Sequence, residues 1–149
     1  MKKRIPPPLI TMLCILIIFL SKSIFPSFVF PYKLELGVVV SILGLLLLIV
    51  SVKSFINNNT TINTLNLKKS TYLVTDGLFR FSRNPIYLGM FGIILSVAFL
   101  MQSLSALLIP VLFILILENT WIPHEEEKLE EKFKDQWTDY LASTKRWIW

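Results

Sequence analysis

Long uncharged apolar runs alternate with charged segments along this chain. Residues 5–21 and 36–52 carry no charged side chain, and each run is long enough, as a helix, to approach or span a hydrocarbon core of about 30 Å. The charged start Met1-Lys2-Lys3-Arg4 is typical of a signal peptide, but no small-residue cleavage site follows the first run. We therefore predict two retained transmembrane helices.

A third uncharged stretch extends from Asn84 to Leu117. As one helix it would measure about 50 Å, which is too long for a single crossing. The polar pair Gln102-Ser103 offers a break, so we predict a hairpin of two spans near 86–101 and 104–121. Pro110 lies inside the second of these spans, where neighbouring helices must accommodate it.

Residues 122–149 are charged, yet apolar or aromatic side chains recur among them at intervals of three and four. This spacing is typical of an amphipathic helix on a membrane surface. On one continuous helix, Glu125 and Glu126 would share the apolar face and Glu127 would face water. Acidic residues at a helix start also stabilise the helix dipole, but that effect does not explain why two of them face the apolar side.

Composition supports a membrane protein. Apolar residues make up 54% of the chain and charged residues 17%, against roughly 45–50% apolar in soluble domains. With 149 residues there is room for one domain. The sequence thus predicts a single domain over 1–149: an all-α polytopic membrane helix bundle of about four transmembrane helices with a C-terminal amphipathic helix. The lone Cys14 and the lone His124 predict no disulfide and no metal site.

Positive charges are distributed unevenly around the predicted spans. One side carries only Lys22 and Lys33, whereas the termini and the loop 53–85 carry the remaining lysines and arginines. The positive-inside rule places both termini and this loop in the cytoplasm. The net charge of +5 then indicates membrane lipids as partners, and no basic face with interleaved aromatic residues indicates nucleic acid.

The segment Arg83-Asn84-Pro85-Ile86-Tyr87-Leu88-Gly89 joins the loop to the third span. Asn84 suits a helix N-cap and Pro85 the first helical position. A helix start beside Arg83 favours a carboxylate or phosphate ligand. An arginine at this place equally suits a helix anchored at lipid phosphates.

Small residues follow along one face of the third span. Pro85, Gly89, Gly92 and Ser96 are spaced by four, three and four residues, so some group approaches the backbone closely there. A neighbouring helix explains this pattern, and so does a flat ligand the size of adenosine, with the ring of Tyr87 nearby.

The carboxylate pair needs partners, because carboxylates at a membrane boundary are costly unless they are paired. We expect Glu125 and Glu126 to contact Arg83, Arg80 or a cationic ligand.

Together these segments resemble the integral-membrane methyltransferase family that includes isoprenylcysteine carboxyl methyltransferases and phospholipid N-methyltransferases, in particular its short bacterial members. The resemblance covers roughly residues 60–149. It rests on three parts of the sequence: residues 73–89, Glu125-Glu126 with the apolar positions that follow, and Arg146-Trp147. The start Lys3-Arg4-Ile5-Pro6-Pro7-Pro8 is also similar to the short members. Three positions depart from the family pattern: Asn84 replaces the histidine of the isoprenylcysteine enzymes, Lys134 replaces a frequent glycine, and Leu78 stands where proline or another residue is common.

The resemblance implies S-adenosylmethionine as methyl donor, bound between residues 72–89 and 122–149 at the cytoplasmic boundary of a bacterial inner membrane. The implied cofactor-binding residues are Arg83, Asn84, Pro85, Tyr87, Gly89, Glu125 and Glu126. Glu126 and Arg83 are the implied catalytic residues, and Glu126 is the candidate base if the acceptor is an amine or thiol that must lose a proton. A carboxylate acceptor needs no base. We expect a lipophilic acceptor that enters from the bilayer.

Two other functions stay open at this point. One is a non-catalytic membrane accessory protein of the same fold, and the other is a small transporter or lipid-binding bundle. The intact Glu125-Glu126 and Tyr87-Leu88-Gly89 favour the enzyme, and no ionisable residue lies mid-span to mark an ion path. The acceptor's identity and the oligomeric state are not predicted.

Overall fold

The computed structural model describes residues 5–21, 31–61, 70–102 and 104–148, without the side chains of Leu104 and Ser105. Within these ranges the regular structure is entirely helical. The helices are α1 (Pro7–Ser21), α2 (Lys33–Asn57), a 3-10 turn (Gly77–Arg80), α3 (Pro85–Met101), α4 (Leu104–Phe133) and α5 (Asp135–Ser143). The charged start at 1–4, Lys22 and Ser103 lie outside the described residues. The predicted all-α fold is confirmed.

Four of these helices are apolar along most of their length. Helices α2 and α4 are long and apolar enough to cross a membrane, and α1 and α3 are shorter apolar helices. Large apolar side chains point outward over α1, α2 and the first half of α4; Met12, for example, is 66% exposed. A soluble monomer rarely exposes apolar surface on this scale. The four helices therefore form the predicted membrane bundle.

Helix boundaries match the predictions at α1 and α3 and differ at α2. The predicted span 36–52 is the middle of a helix that extends from Lys33 to Asn57. The extra turns carry Lys33, Glu35 and Lys53. Charged side chains at helix ends can reach water while the backbone stays helical. The charged residues therefore bounded the apolar run that we used for the prediction, but they do not end the helix.

Helices α2 and α3 pack closely through glycines. A Cβ atom added at Gly44 would lie 3.0 Å from the carbonyl oxygen of Gly89 and 3.1 Å from the backbone nitrogen of Ile93. Gly92 likewise meets the Cα atom of Gly44. The close approach predicted for the small-residue face of α3 is thus made by a neighbouring helix, as small-residue packing in membranes requires.

The C-terminal helix differs from its prediction. A C-terminal amphipathic helix is present as α5, but one continuous helix after Pro123 is wrong, because α4 continues from the apolar span through Pro123 to Phe133 before α5 begins. Trp121 and Ile122 are buried in the bundle core, and this packing maintains the helix across the proline. Lys134 then adopts a φ of 45° and ends α4. His124 consequently lies within a helix and not at a helix start.

A second apolar cluster closes one end of the bundle. It contains Leu73, Val74, Phe79, Trp137 and Tyr140, with the ring of Phe55 edge-on to Phe79. The Tyr140 hydroxyl donates a hydrogen bond of 2.7 Å to the carbonyl oxygen of Phe79. This cluster holds α5 against residues 73–79 and forms the far wall of the candidate site.

Candidate functional site

A cavity of about 320 Å³ lies between the bundle and the second apolar cluster. Its volume falls within the range of roughly 300–1,000 Å³ that is common for small-molecule sites. Apolar side chains form most of the wall, and one side is polar. The polar and charged side is formed by Arg83, Asn84, Tyr87, Glu125 and Glu126.

The start of α3 places three of these residues. Pro85 occupies the first turn and Asn84 the N-cap position, as predicted, but the Asn84 side chain does not cap the helix. Its Nδ2 atom donates to the carbonyl oxygen of Arg146 over 3.1 Å. The predicted N-cap position is therefore confirmed, while the side-chain oxygen forms no capping bond and the amide nitrogen binds the C-terminal segment.

The C-terminal segment, residues 144–147, folds back across this helix start. The Arg83 backbone N–H donates to the carbonyl oxygen of Lys145 over 2.9 Å, and the Arg83 guanidinium donates to that of Thr144. The Ser82 hydroxyl donates to the carbonyl oxygen of Arg146 over 3.0 Å. These bonds fix the loop before α3 and the C-terminal segment against each other.

Two guanidinium groups bind the carboxylate of Glu126. The Nη2 atom of Arg83 lies 3.1 Å from Oε1, and Arg146 binds both carboxylate oxygens, with Nε 3.2 Å from Oε1. The side chains of Arg83 and Glu126 are only 11% and 18% exposed. Arg146 also lies 3.9 Å from Glu118, whose carboxylate accepts a hydrogen bond from the indole N–H of Trp147. The predicted contact between Arg83 and Glu126 is confirmed.

Glu125 has different surroundings from its neighbour. Its Oε1 atom accepts a hydrogen bond of 2.7 Å from the Tyr87 hydroxyl. Among the described residues, no lysine or arginine nitrogen lies within ion-pair distance of this carboxylate. Burial is the main cause that raises the pKa of Glu125, the Tyr87 hydrogen bond and Lys128 lower it, and the charge of Glu126 raises it; together they bring the pKa to about 7. The site thus contains one paired carboxylate and one without a cation.

Gly89 lies apart from the other predicted site residues. It does not contribute to the cavity wall in the part of the chain that the structure describes. A Cβ atom at Gly89 would lie 2.7 Å from Cγ of Leu48 and 2.9 Å from the carbonyl oxygen of Gly44. Its lack of a side chain serves the contact with α2.

Two parts of the site were not identified as such from the sequence. Arg146 was noted only as part of the family resemblance, and its contact with Glu126 joins residues twenty positions apart. Residues Pro6–Pro8, at the start of α1, line the cavity and were likewise noted only as similar to short family members. In both cases the sequence showed the segment but not which residues it would contact in the folded protein.

Comparison with known proteins identifies a family for the chain. The family profile of phospholipid methyltransferases matches residues 32–136, a range that contains Arg83, Tyr87, Glu125 and Glu126. Neither a curated protein nor a solved structure matches the chain. Because the match covers well over half of the chain and the helices can span a membrane, this protein belongs to the phospholipid methyltransferase family, whose members are membrane methyltransferases.

Proposed function

We propose that this membrane methyltransferase uses S-adenosylmethionine and methylates a lipophilic acceptor. One observation carries the proposal. Beside the ring of Tyr87, the cavity contains a half-buried carboxylate, Glu125, that has no cationic partner among the described residues. Such a group is costly, and a cationic ligand would offset that cost.

The residues at the cavity suit this cofactor chemically. S-adenosylmethionine carries two positive centres, a carboxylate and an aromatic base. Glu125 is a suitable acceptor for a positive centre, and the electron-rich face of Tyr87 can add a cation–π contact. The Nε atom of Arg83 is buried and has no hydrogen-bond partner among the described residues, so it can donate to a carboxylate.

In the proposed reaction the protein aligns the two reactants and keeps water away from them. When bound, S-adenosylmethionine provides an electrophilic methyl group on its sulfonium. Methyl transfer is a displacement, so alignment of the two reactants is the main catalytic contribution. The apolar walls, which include Phe79, Leu129 and Trp137, keep water from the site and strengthen its polar interactions.

A base is required only when the acceptor must lose a proton. Our prediction for this role was Glu126, but its oxygens already accept hydrogen bonds from Arg83 and Arg146. Glu125 already has the positive centre of the cofactor as its partner in this proposal, and a bound cation lowers the pKa of a carboxyl. Neither glutamate is therefore free to act as a base, which favours an acceptor that has no proton to lose.

The apolar character of the cavity supports a lipophilic acceptor. Met90 of α3, Ile122 of α4 and Pro7 of α1 line its bundle side, and these three helices belong to the membrane bundle. An acceptor dissolved in the bilayer could reach the site between helices without crossing water.

Transfer of a labelled methyl group tests the proposal. Membranes from cells that overproduce the protein would be incubated with methyl-labelled S-adenosylmethionine and then extracted with organic solvent. We expect label in the extract with wild type and with the control variant Glu127→Gln. Glu127 is an exposed glutamate two positions after Glu125 on the same helix. With Glu125→Gln the label should fall at least about tenfold, because a charged contact is worth about 1.5–3 kcal/mol.

Two results would contradict the proposal. One is equal labelling by Glu125→Gln and wild type. The other is no labelling above the empty-vector background when wild type is present and folded, which would favour the non-catalytic accessory protein.

A further inference from the structure

Glu125 and Glu126 are adjacent on α4 and border the same cavity, yet they have different partners. Glu126 accepts hydrogen bonds from two guanidinium groups, and Glu125 accepts one from a tyrosine hydroxyl. The first carboxylate is charge-compensated within the protein. The second is not compensated by any ion pair among the described residues.

Arg146 accounts for much of this difference. It is the only guanidinium in the described chain that binds both oxygens of Glu126. Its own position is fixed, because its carbonyl oxygen accepts hydrogen bonds from Ser82 and Asn84 and one of its Nη atoms lies near Glu118. Arg146 lies outside the residues that the family profile matches, so the assignment of its role comes from these contacts.

Several elements pack around Glu125 and contribute titratable or charged groups. The α1 residues at the cavity are prolines, which do not titrate. The groups that act on Glu125 or border the same cavity are Tyr87 from α3, Tyr72 and Arg83 from the segment before α3, Arg146 from the C-terminal segment through Glu126, Tyr140 from α5, and Glu126 and Lys128 from α4. Lys128 acts only at long range, since it forms no ion pair with Glu125 within 4 Å in the described chain. A positive ligand group is therefore the missing close partner.

We propose that Glu125 is the carboxylate that recognises the positive charge of the ligand, and that Arg146 is a positioning residue that holds Glu126 out of this role. This inference rests on the proposed function, because it divides the work of the two glutamates within the same site. It also specifies which glutamate releases a proton when the ligand binds.

Binding of S-adenosylhomocysteine at different pH values tests the first half. The affinity of detergent-purified protein would be measured by calorimetry from about pH 5.5 to about pH 8.5. Glu125 must be ionised to bind a cation, so wild-type affinity should rise up to about tenfold per pH unit below the pKa of Glu125 and level off above it. Glu125→Gln should bind at least about tenfold more weakly at the highest pH and lose this dependence.

Matched variants separate charge from position. Glu127→Gln removes the same charge from an exposed site on the same helix and should keep the wild-type profile. Glu126→Gln should lower the affinity and keep a rise with pH. If Glu126→Gln fails to fold because two guanidinium groups lose their partner, Glu125→Gln and Glu127→Gln still decide the assignment, since neither breaks an arginine contact described here.

Arg146 variants test the second half. Arg146→Met leaves Glu126 paired with Arg83 alone, so more negative charge acts on Glu125 and the midpoint of the binding profile should move to higher pH. Arg146→Lys restores the charge and should return the midpoint toward that of wild type. A merely structural role would weaken binding by both variants without moving the midpoint.

The outcomes distinguish this inference from the proposed function. No binding by folded wild type would overturn both. Binding by wild type, with an unchanged pH dependence in Glu125→Gln, would overturn only the assignment of Glu125. An unmoved midpoint in Arg146→Met would overturn the positioning role of Arg146.

Discussion

Glu125 and Glu126 are adjacent residues of the same type, but their different contacts give their carboxyl groups different properties. Glu126 is an ion-pair partner, whereas burial keeps the pKa of Glu125 near 7. Perturbed carboxylates of this kind concentrate at functional sites, although structural ion-pair networks also perturb pKa values. The position of Glu125 at a cavity favours the functional interpretation.

The raised pKa of Glu125 predicts how the unliganded protein responds to pH. An unfolded glutamate releases its proton near pH 4.5 and the folded Glu125 near 7, so between these values the unfolded state binds fewer protons. Folding stability should therefore fall as pH rises from about 4.5 to about 7, by up to about 3 kcal/mol from this residue.

Melting temperatures check this prediction. The difference in apparent melting temperature between Glu125→Gln and wild type should shift in favour of the variant between pH 5 and pH 8, because other titrating groups are common to both proteins. A difference that stays constant over this range would show that Glu125 does not titrate as stated.

Lys134 is strained at the junction of α4 and α5. Its φ of 45° and ψ of −114° suit glycine far better than a residue with a side chain. We expect Lys134→Gly to stabilise the protein by about 1 kcal/mol, measured as a higher apparent melting temperature. Lys132→Gly, within the last turn of α4, is the control and should destabilise. A lower melting temperature for Lys134→Gly would contradict the strain argument.

At the scale of helices, the contact between α2 and α3 depends on the absence of side chains. In Gly44→Ala the new methyl group would meet backbone atoms of α3 at 3.0–3.1 Å, which can move only if the helices separate. We expect a loss of about 1–3 kcal/mol, as for other overpacked cores, measured by thermal or denaturant unfolding in detergent.

Gly37→Ala provides the matched control on the same helix. Its methyl group would meet the side chain of Leu100, which can change rotamer, so the loss should be smaller than for Gly44→Ala. Equal losses for the two variants would show that close backbone contact at Gly44 is not the determining feature.

The helices were predictable from sequence to different degrees. Uncharged apolar runs located α1 and α3 to within about two residues because charge and proline mark their ends. The course of α4 through Pro123 was not predictable, since burial of Trp121 and Ile122 overrides the local preference of proline. Only the family resemblance, with its frequent glycine at position 134, pointed to the break there, because a lysine gives no sign of a backbone angle that suits glycine.

The site was predictable as a set of residues but not as a set of contacts. Six of the seven predicted cofactor-binding residues line one cavity, and the motif spacing explains this because each segment starts or extends a helix at the same end of the bundle. The partners of Glu126 include Arg146, which no local pattern links to it. Gly89 entered the predicted site through the family resemblance, and the small-residue pattern by itself suited a neighbouring helix as well as a ligand.

At the scale of the whole molecule, membrane orientation stays a prediction. The distribution of lysine and arginine places the site end of the bundle in the cytoplasm. In a Cys14→Ala background, Lys145→Cys at that end should react with a membrane-impermeant maleimide only in inverted vesicles. Lys33→Cys, exposed at the start of α2 at the opposite end, should react in intact cells. The reverse pattern would invert the topology.

Binding of S-adenosylhomocysteine to the folded, detergent-purified protein tests the central claim most directly. Titration calorimetry with wild type at pH 8, where Glu125 is mostly ionised, should give saturable one-to-one binding that S-adenosylmethionine displaces. No heat of binding from a protein that melts cooperatively and elutes as a single species would contradict the claim that this cavity is a methyl-donor site.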